Sequence, residues 1–185
     1  IAINMFLRPF NFAIPNREKG VDESAKRSKL WVDKQHIEVY QWGEGASYIL
    51  CVHGWSGRAT QFHAIIEKLV QQGFKVISFD ASAHGRSAGK QTNLVEISQC
   101  INALVEQSGK PKAIIGHSLG GVASMLYQRS FNTSIPQGTI NSPSISKEIF
   151  ANYAFRLNAN KDKVEKWLNG FVKERIGLEF DEVSE

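Results

Sequence analysis

Along residues 30–141 the apolar positions switch between two spacings. Leu30-Trp31-Val32 and Ile37-Glu38-Val39-Tyr40-Gln41-Trp42 alternate apolar with polar around Asp33-Lys34-Gln35, and this predicts a β-hairpin with His36 in its turn. Residues 48–52, 74–79 and 112–115 are short apolar runs that predict buried strands, and residues 138–141 predict one more. Between these runs the spacing lengthens. Phe62, Ile65, Ile66, Leu69 and Val70 fall on one face of a helix that Gly73 stops. Leu94, Ile97, Ile101, Leu104 and Val105 do the same, with Asn93 as the N-cap and Gly109 as the stop. Residues 121–127 predict a third helix. Strands alternating with helices of this length imply an α/β fold, with a mostly parallel sheet built from right-handed crossovers.

The two ends read differently. Pro9, Pro15 and Gly20 punctuate residues 1–28, which are expected to form an irregular arm pinned by Phe6, Phe10 and Phe12. Residues 146–185 read as wholly helical, with one apolar stripe at Ile149, Phe150, Tyr153 and Leu157 and another at Val164, Trp167, Leu168, Phe171 and Val172. The expected division is therefore an arm over 1–28, a core over 29–145 and a helical layer over 146–185.

Composition narrows the function classes. At 185 residues, 42% hydrophobic and 22% charged, the chain suits one globular domain with a sizeable core. Its net charge of +4 comes from scattered residues such as Lys19, Lys26, Arg27, Lys29 and Lys34, which read as solvated surface rather than a nucleic-acid footprint. No run approaches the ~18 apolar residues of a membrane span. Cys51 falls in a strand and Cys100 in a helix, which fits buried free thiols in a reducing, cytoplasmic setting. No Cys/His spacing suggests a metal, and no cofactor is implied.

The candidate chemistry sits at the strand ends. His53-Gly54-Trp55-Ser56-Gly57 follows the run at 48–52. Asp80-Ala81-Ser82-Ala83-His84-Gly85-Arg86-Ser87 follows 74–79, and Gly116-His117-Ser118-Leu119-Gly120 follows 112–115. The last reads G-x-S-x-G between strand and helix, the context of a nucleophile elbow. Its glycines leave room for a serine on a sharp turn, and the following helix aims its N-terminus at the hydroxyl.

Taken together, the three motifs in this order resemble the α/β-hydrolase superfamily over roughly residues 30–145, and within it serine esterases and lipases with a helical cap. The resemblance implies that Ser118 is the nucleophile and that the backbone N–H groups of Trp55 and Leu119 form the oxyanion hole. It implies loop-shaping roles for His53, Gly54, Asp80, His84, Gly85, Gly116 and Gly120. It also implies that residues 146–185 are the cap and that the substrate is a small acyl compound. A serine rather than an aspartate at the elbow disfavours haloalkane and epoxide hydrolysis. Thioesterase, carbon–carbon hydrolase and haloperoxidase chemistries stay open.

The five histidines are His36, His53, His63, His84 and His117, and none follows Ser118. Where some relatives carry the acid, this chain has Asn141; Asp162 and Asp181 read as cap surface. The resemblance puts acid and base after two later strands. Each strand–helix unit takes ~30 residues, so the fold is expected to be C-terminally incomplete, with base and acid beyond Glu185 and the 185 residues alone inactive. The alternative is a non-catalytic small-molecule-binding or interaction module of the same fold.

Overall fold

The computed structural model describes residues 7–142 together with 160, 162, 163, 166, 169, 170, 173 and 174. The chain divides into two compact units, residues 1–142 and 143–185. In the first unit the order is α1 (Asn16–Ser24), β1 (Lys26–Val32), β2 (Gln35–Trp42), β3 (Tyr48–Val52), a 3₁₀ turn (Ala59–Phe62), α2 (His63–Gln71), β4 (Lys75–Phe79), α3 (Leu94–Ser108), β5 (Ala113–His117), α4 (Leu119–Ser130) and β6 (Gln137–Ile140). Six strands make one sheet in the order β1-β2-β4-β3-β5-β6. The β1–β2 and β2–β4 pairs are antiparallel, and β4, β3, β5 and β6 run parallel.

Burial follows the pattern of the sequence. All five residues of β3, the strand between β4 and β5, are buried. Ile66 of α2, Ala59 and Phe62 of the 3₁₀ turn and Val21 of α1 pack on Tyr40, Trp42, Cys51 and Val76. Successive strand side chains point to opposite faces, so Leu50 and Val52 of β3 turn away from that cluster. The buried stripes of α3 (Ile97, Cys100, Ile101, Leu104) and α4 (Val122, Ala123, Leu126) supply a second apolar layer, and these two helices pack together. Asn93 caps α3 by accepting the Glu96 N–H at 3.0 Å, and Gly109 ends the helix at φ +79°. Both cysteines are free and buried, and burial pushes their thiols up to about 12 for Cys51 and about 11 for Cys100.

Three expectations need correction. Residues 16–24 of the expected irregular arm form α1, and β1 begins at Lys26. Only Glu18 and Val21 of α1 are buried, and Gly20 lies inside the helix at a cost of ~1 kcal/mol against alanine. A helix with so little apolar periodicity is held by tertiary contacts: Trp42 Nε1 donates to Val21 O at 2.8 Å and Thr60 Oγ1 donates to Glu18 Oε2 at 2.8 Å. Second, Phe10 and Phe12 do not pin the arm, since they are 66% and 65% exposed. Polar contacts do so instead: Phe10 N–H donates to Ser56 Oγ at 2.9 Å, and Asn11 accepts the Gly85 N–H at 2.9 Å. Third, His36 belongs to β2, and the turn is made at Asp33-Lys34, with Asp33 at φ +52°.

The cap stripes expected over 146–185 lie outside the described residues, as do Phe6 and Asp181. In the second unit the described residues from 162 to 174 are helical, and Asn160 Oδ1 accepts the Lys163 N–H at 3.0 Å. Among the described residues no helix is long and apolar enough to cross a membrane.

Candidate active site

The topology selects one place on the sheet. From β3 the chain moves outward to β4, whereas from β5 it moves the other way to β6. The connections leaving the carboxyl ends of β3 and β5 therefore diverge, and a crevice opens where they part. His53-Gly54-Trp55 leaves β3 at this point and Ser118 leaves β5.

Ser118 has φ +50° and ψ −123°, a conformation that costs a non-glycine residue of order 1–3 kcal/mol. Its side chain makes no capping bond to α4, so helix capping does not account for it. Surrounding contacts hold the strained turn. Ser118 N–H donates to Ile140 O at 2.9 Å, while Ser118 O accepts Gly121 N–H at 3.0 Å and Ser142 Oγ at 2.8 Å. Steric room is provided by glycine at two positions. A Cβ on Gly116 would lie 2.4 Å from Gly121 Cα, and one on Gly120 would lie 2.2 Å from Val52 O. Gly54 lies directly against the serine, since a Cβ there would be 2.9 Å from Ser118 Cβ. Neither the Trp55 N–H nor the Leu119 N–H is taken up by a described residue, and Leu119 is the first residue of α4.

His53 and His84 are buried structural links. His53 Nδ1–H donates to Gly54 O at 2.8 Å, and its Nε2 accepts Ala81 N–H at 2.9 Å, joining the loops after β3 and β4. His84 Nδ1–H donates to Ser82 O at 3.0 Å, and its Nε2 accepts Ser56 N–H at 3.0 Å. The rings lie 4.9 Å apart, and the Trp55 indole meets His84 edge to face at 5.4 Å. Burial pushes His53 down to about 4 and His84 down to about 3, so both rings are neutral with both nitrogens occupied.

Asp80, also buried, organises the same loops. Its Oδ1 accepts Ala59 N–H at 2.8 Å; its Oδ2 accepts Arg86 N–H at 2.8 Å and Tyr40 O–H at 2.9 Å. Burial raises its carboxyl above the ordinary range against the pull of these donors. Gly85, at φ +48°, passes so close that a Cβ would lie 2.1 Å from Asp80 Oδ2. Arg86 continues the network with a fork onto Asp22 of α1, at 2.6 and 2.9 Å, and a 3.1 Å bond to Tyr40 Oη. Asn11, Glu18, Asp22, Tyr40 and Arg86 carry no local signal of this role, because each acts across at least 40 residues of chain.

His117 turns away to Gln61, whose Nε2 lies 3.0 Å from its Nδ1. His63 opens α2 and His36 stacks edgewise on Trp31. Among the described residues none hydrogen-bonds the Ser118 hydroxyl, and none form a group of three or more His, Cys, Asp or Glu placed to hold a metal ion.

Over 112 residues the chain is 32% identical to the Serine hydrolase-like protein of Homo sapiens, covering 56% of this chain and 53% of that one. Over 106 residues it is 23% identical to a monoacylglycerol lipase of Mycolicibacterium smegmatis, covering 53% of this chain and 38% of that one. The chain thus spans about half or less of the length of these relatives. In fold it is similar to the mouse alpha/beta hydrolase domain-containing protein 10, with a TM-score of 0.59 at 18% identity over 70% of this chain and 54% of that one. A family model for the alpha/beta hydrolase fold matches residues 48–176, well over half of the chain, and this chain therefore belongs to that family.

Proposed function

We propose that this chain carries the nucleophile and oxyanion hole of a serine hydrolase that cleaves an ester or related acyl bond of a small molecule. The observation that carries the reading is the strained, non-capping Ser118 at the β3/β5 divergence. In the reaction, Ser118 Oγ attacks the acyl carbon and gives up its proton to a base. The oxyanion is held by the Trp55 and Leu119 N–H groups, each typically worth ~3 kcal/mol in the transition state. The leaving alcohol takes a proton, and water releases the acyl-enzyme. The relatives named as a lipase and a serine hydrolase-like protein support an acyl substrate.

The base and the acid are assigned outside residues 1–185. His53 and His84 have both ring nitrogens committed to the backbone, and His117 is engaged by Gln61, which supports this. The division into core and lid is part of the same reading. The apolar stripes of residues 146–185 suit a helical cap. On it, Trp167→Ala changes chain-length preference or KM more than stability, and the reverse outcome assigns Trp167 to a core. The buried free thiols support a cytoplasmic setting.

The test is covalent labelling of the intact protein by an active-site phosphonate. The parent is expected to label and Ser118→Ala is not; equal labelling of both would refute the assignment. A Ser118 hydroxyl with no hydrogen-bond partner among the described residues also fits a non-catalytic binding module, and the absence of labelling in both would favour it.

A further inference from the structure

The two proposed oxyanion donors stand on different loops, Trp55 after β3 and Leu119 after β5. Transition-state stabilisation depends on the distance between them, so what ties one loop to the other matters. Gln61 does this with a side chain. It ends the turn that folds back on the β3 loop: Gln61 N–H donates to Arg58 O at 3.2 Å, and Arg58 N–H donates to Gln61 Oε1 at 3.3 Å. Gly57 completes the seat, since a Cβ there would lie 2.0 Å from the same oxygen. With Oε1 fixed on the Arg58 N–H, the amide NH₂ faces outward and donates to His117 Nδ1 at 3.0 Å. This selects the ring tautomer that carries its proton on Nε2. His117 is the residue before Ser118, and its Nδ1 also lies against Gly54, 3.1 Å from where a Cβ would stand.

From this juxtaposition we propose that Gln61 is a positioning residue for the acyl-transfer site. It spans the donor loops through His117 and sets the spacing of the Trp55 and Leu119 N–H groups. The inference rests on the Ser118 reading above and extends it to a residue with no motif of its own. Gln61 touches neither substrate nor reacting atoms; its effect runs through the loops.

Its test uses the intact enzyme with Gln61→Met, Gln61→Glu and Ser118→Ala, and two readouts. The first is kcat per phosphonate-titrated site, with KM measured alongside. The second is the ¹⁵N shift of the His117 ring nitrogens, which reports the tautomer without catalysis. Gln61→Met keeps the length and loses both bonds. It is expected to lower kcat per titrated site by on the order of 10- to 100-fold with KM within about twofold, and to release the tautomer. Gln61→Glu still accepts from Arg58 N–H and takes a bond from His117 in its other tautomer, so most of the lost rate returns. If Gln61→Met releases the tautomer yet kcat per site is unchanged, the positioning role is overturned while Ser118 stands. A loss in both Gln61 variants confined to the titratable fraction means a purely folding role and also overturns it. Full activity in Ser118→Ala overturns both readings.

Discussion

Gly85→Ala tests the clamp beneath the site. Gly85 has φ +48°, where an alanine pays about 1–2 kcal/mol. Its Cβ would also stand 2.1 Å from Asp80 Oδ2 and 2.4 Å from Cγ. The carboxylate has little freedom to withdraw, since Ala59 N–H, Arg86 N–H and Tyr40 O–H hold it from both oxygens. Moving it breaks at least one charge-assisted bond, about 1.5–3 kcal/mol. The sum is about 2.5–5 kcal/mol, a large share of the 5–15 kcal/mol typical of a domain. Urea unfolding followed by tryptophan fluorescence reads this out. With an m value of about 2 kcal/mol/M, the midpoint is expected to fall by about 1.2–2.5 M. The clash is specific, so in the Asp80→Ala background the same Gly85→Ala change is expected to cost only its backbone share, about 1–2 kcal/mol. A loss under about 1 kcal/mol in the parent, or an equal loss in both backgrounds, would refute the steric account.

Other expectations follow from neighbouring contacts. His53 and His84, held down to about 4 and about 3 by burial, bind fewer protons folded than unfolded, where the ordinary value is 6.5. Stability is thus full above pH 6.5 and falls as pH drops, by up to about 3 kcal/mol per pH unit for two protons; a urea midpoint flat from pH 6.5 to 5 would contradict this. Gly120→Ala places a Cβ 2.2 Å from Val52 O and 2.5 Å from His53 O, and is expected to cost about 3 kcal/mol or more in thermal or urea melts; a near-neutral result would mean that β3 yields easily. Asn93→Ala removes the cap of α3 and is expected to cost about 1 kcal/mol, with Asn93→Gly milder, and the two compared by the same melts.

Much of the scaffold was legible in the sequence because its signals are local. The buried strand β3 follows from one apolar run, α2 from five residues at helical spacing and the start of α3 from Asn93, each within about fifteen residues. The G-x-S-x-G turn marked Ser118 for the same reason: the residues that permit its conformation are its chain neighbours. Tertiary structure alone decided what lies between these elements. No periodicity announces α1, whose buried Glu18 has meaning only beside Arg58 and Thr60, 40 and 42 positions away. The aromatic rings of Phe10 and Phe12 promised an anchor, yet the polar atoms of Phe10 N and Asn11 provide it. The occupied nitrogens of His53 and His84, the three donors on Asp80 and the reach of Gln61 to His117 are likewise contacts across 21 to 56 residues or within tight turns. Composition and spacing determine which segments become strands and helices, because hydrophobic burial is read residue by residue along a face. The partner each polar group finds depends on how the sheet brings distant loops together, and a hydrogen bond across that distance leaves no mark on the local pattern.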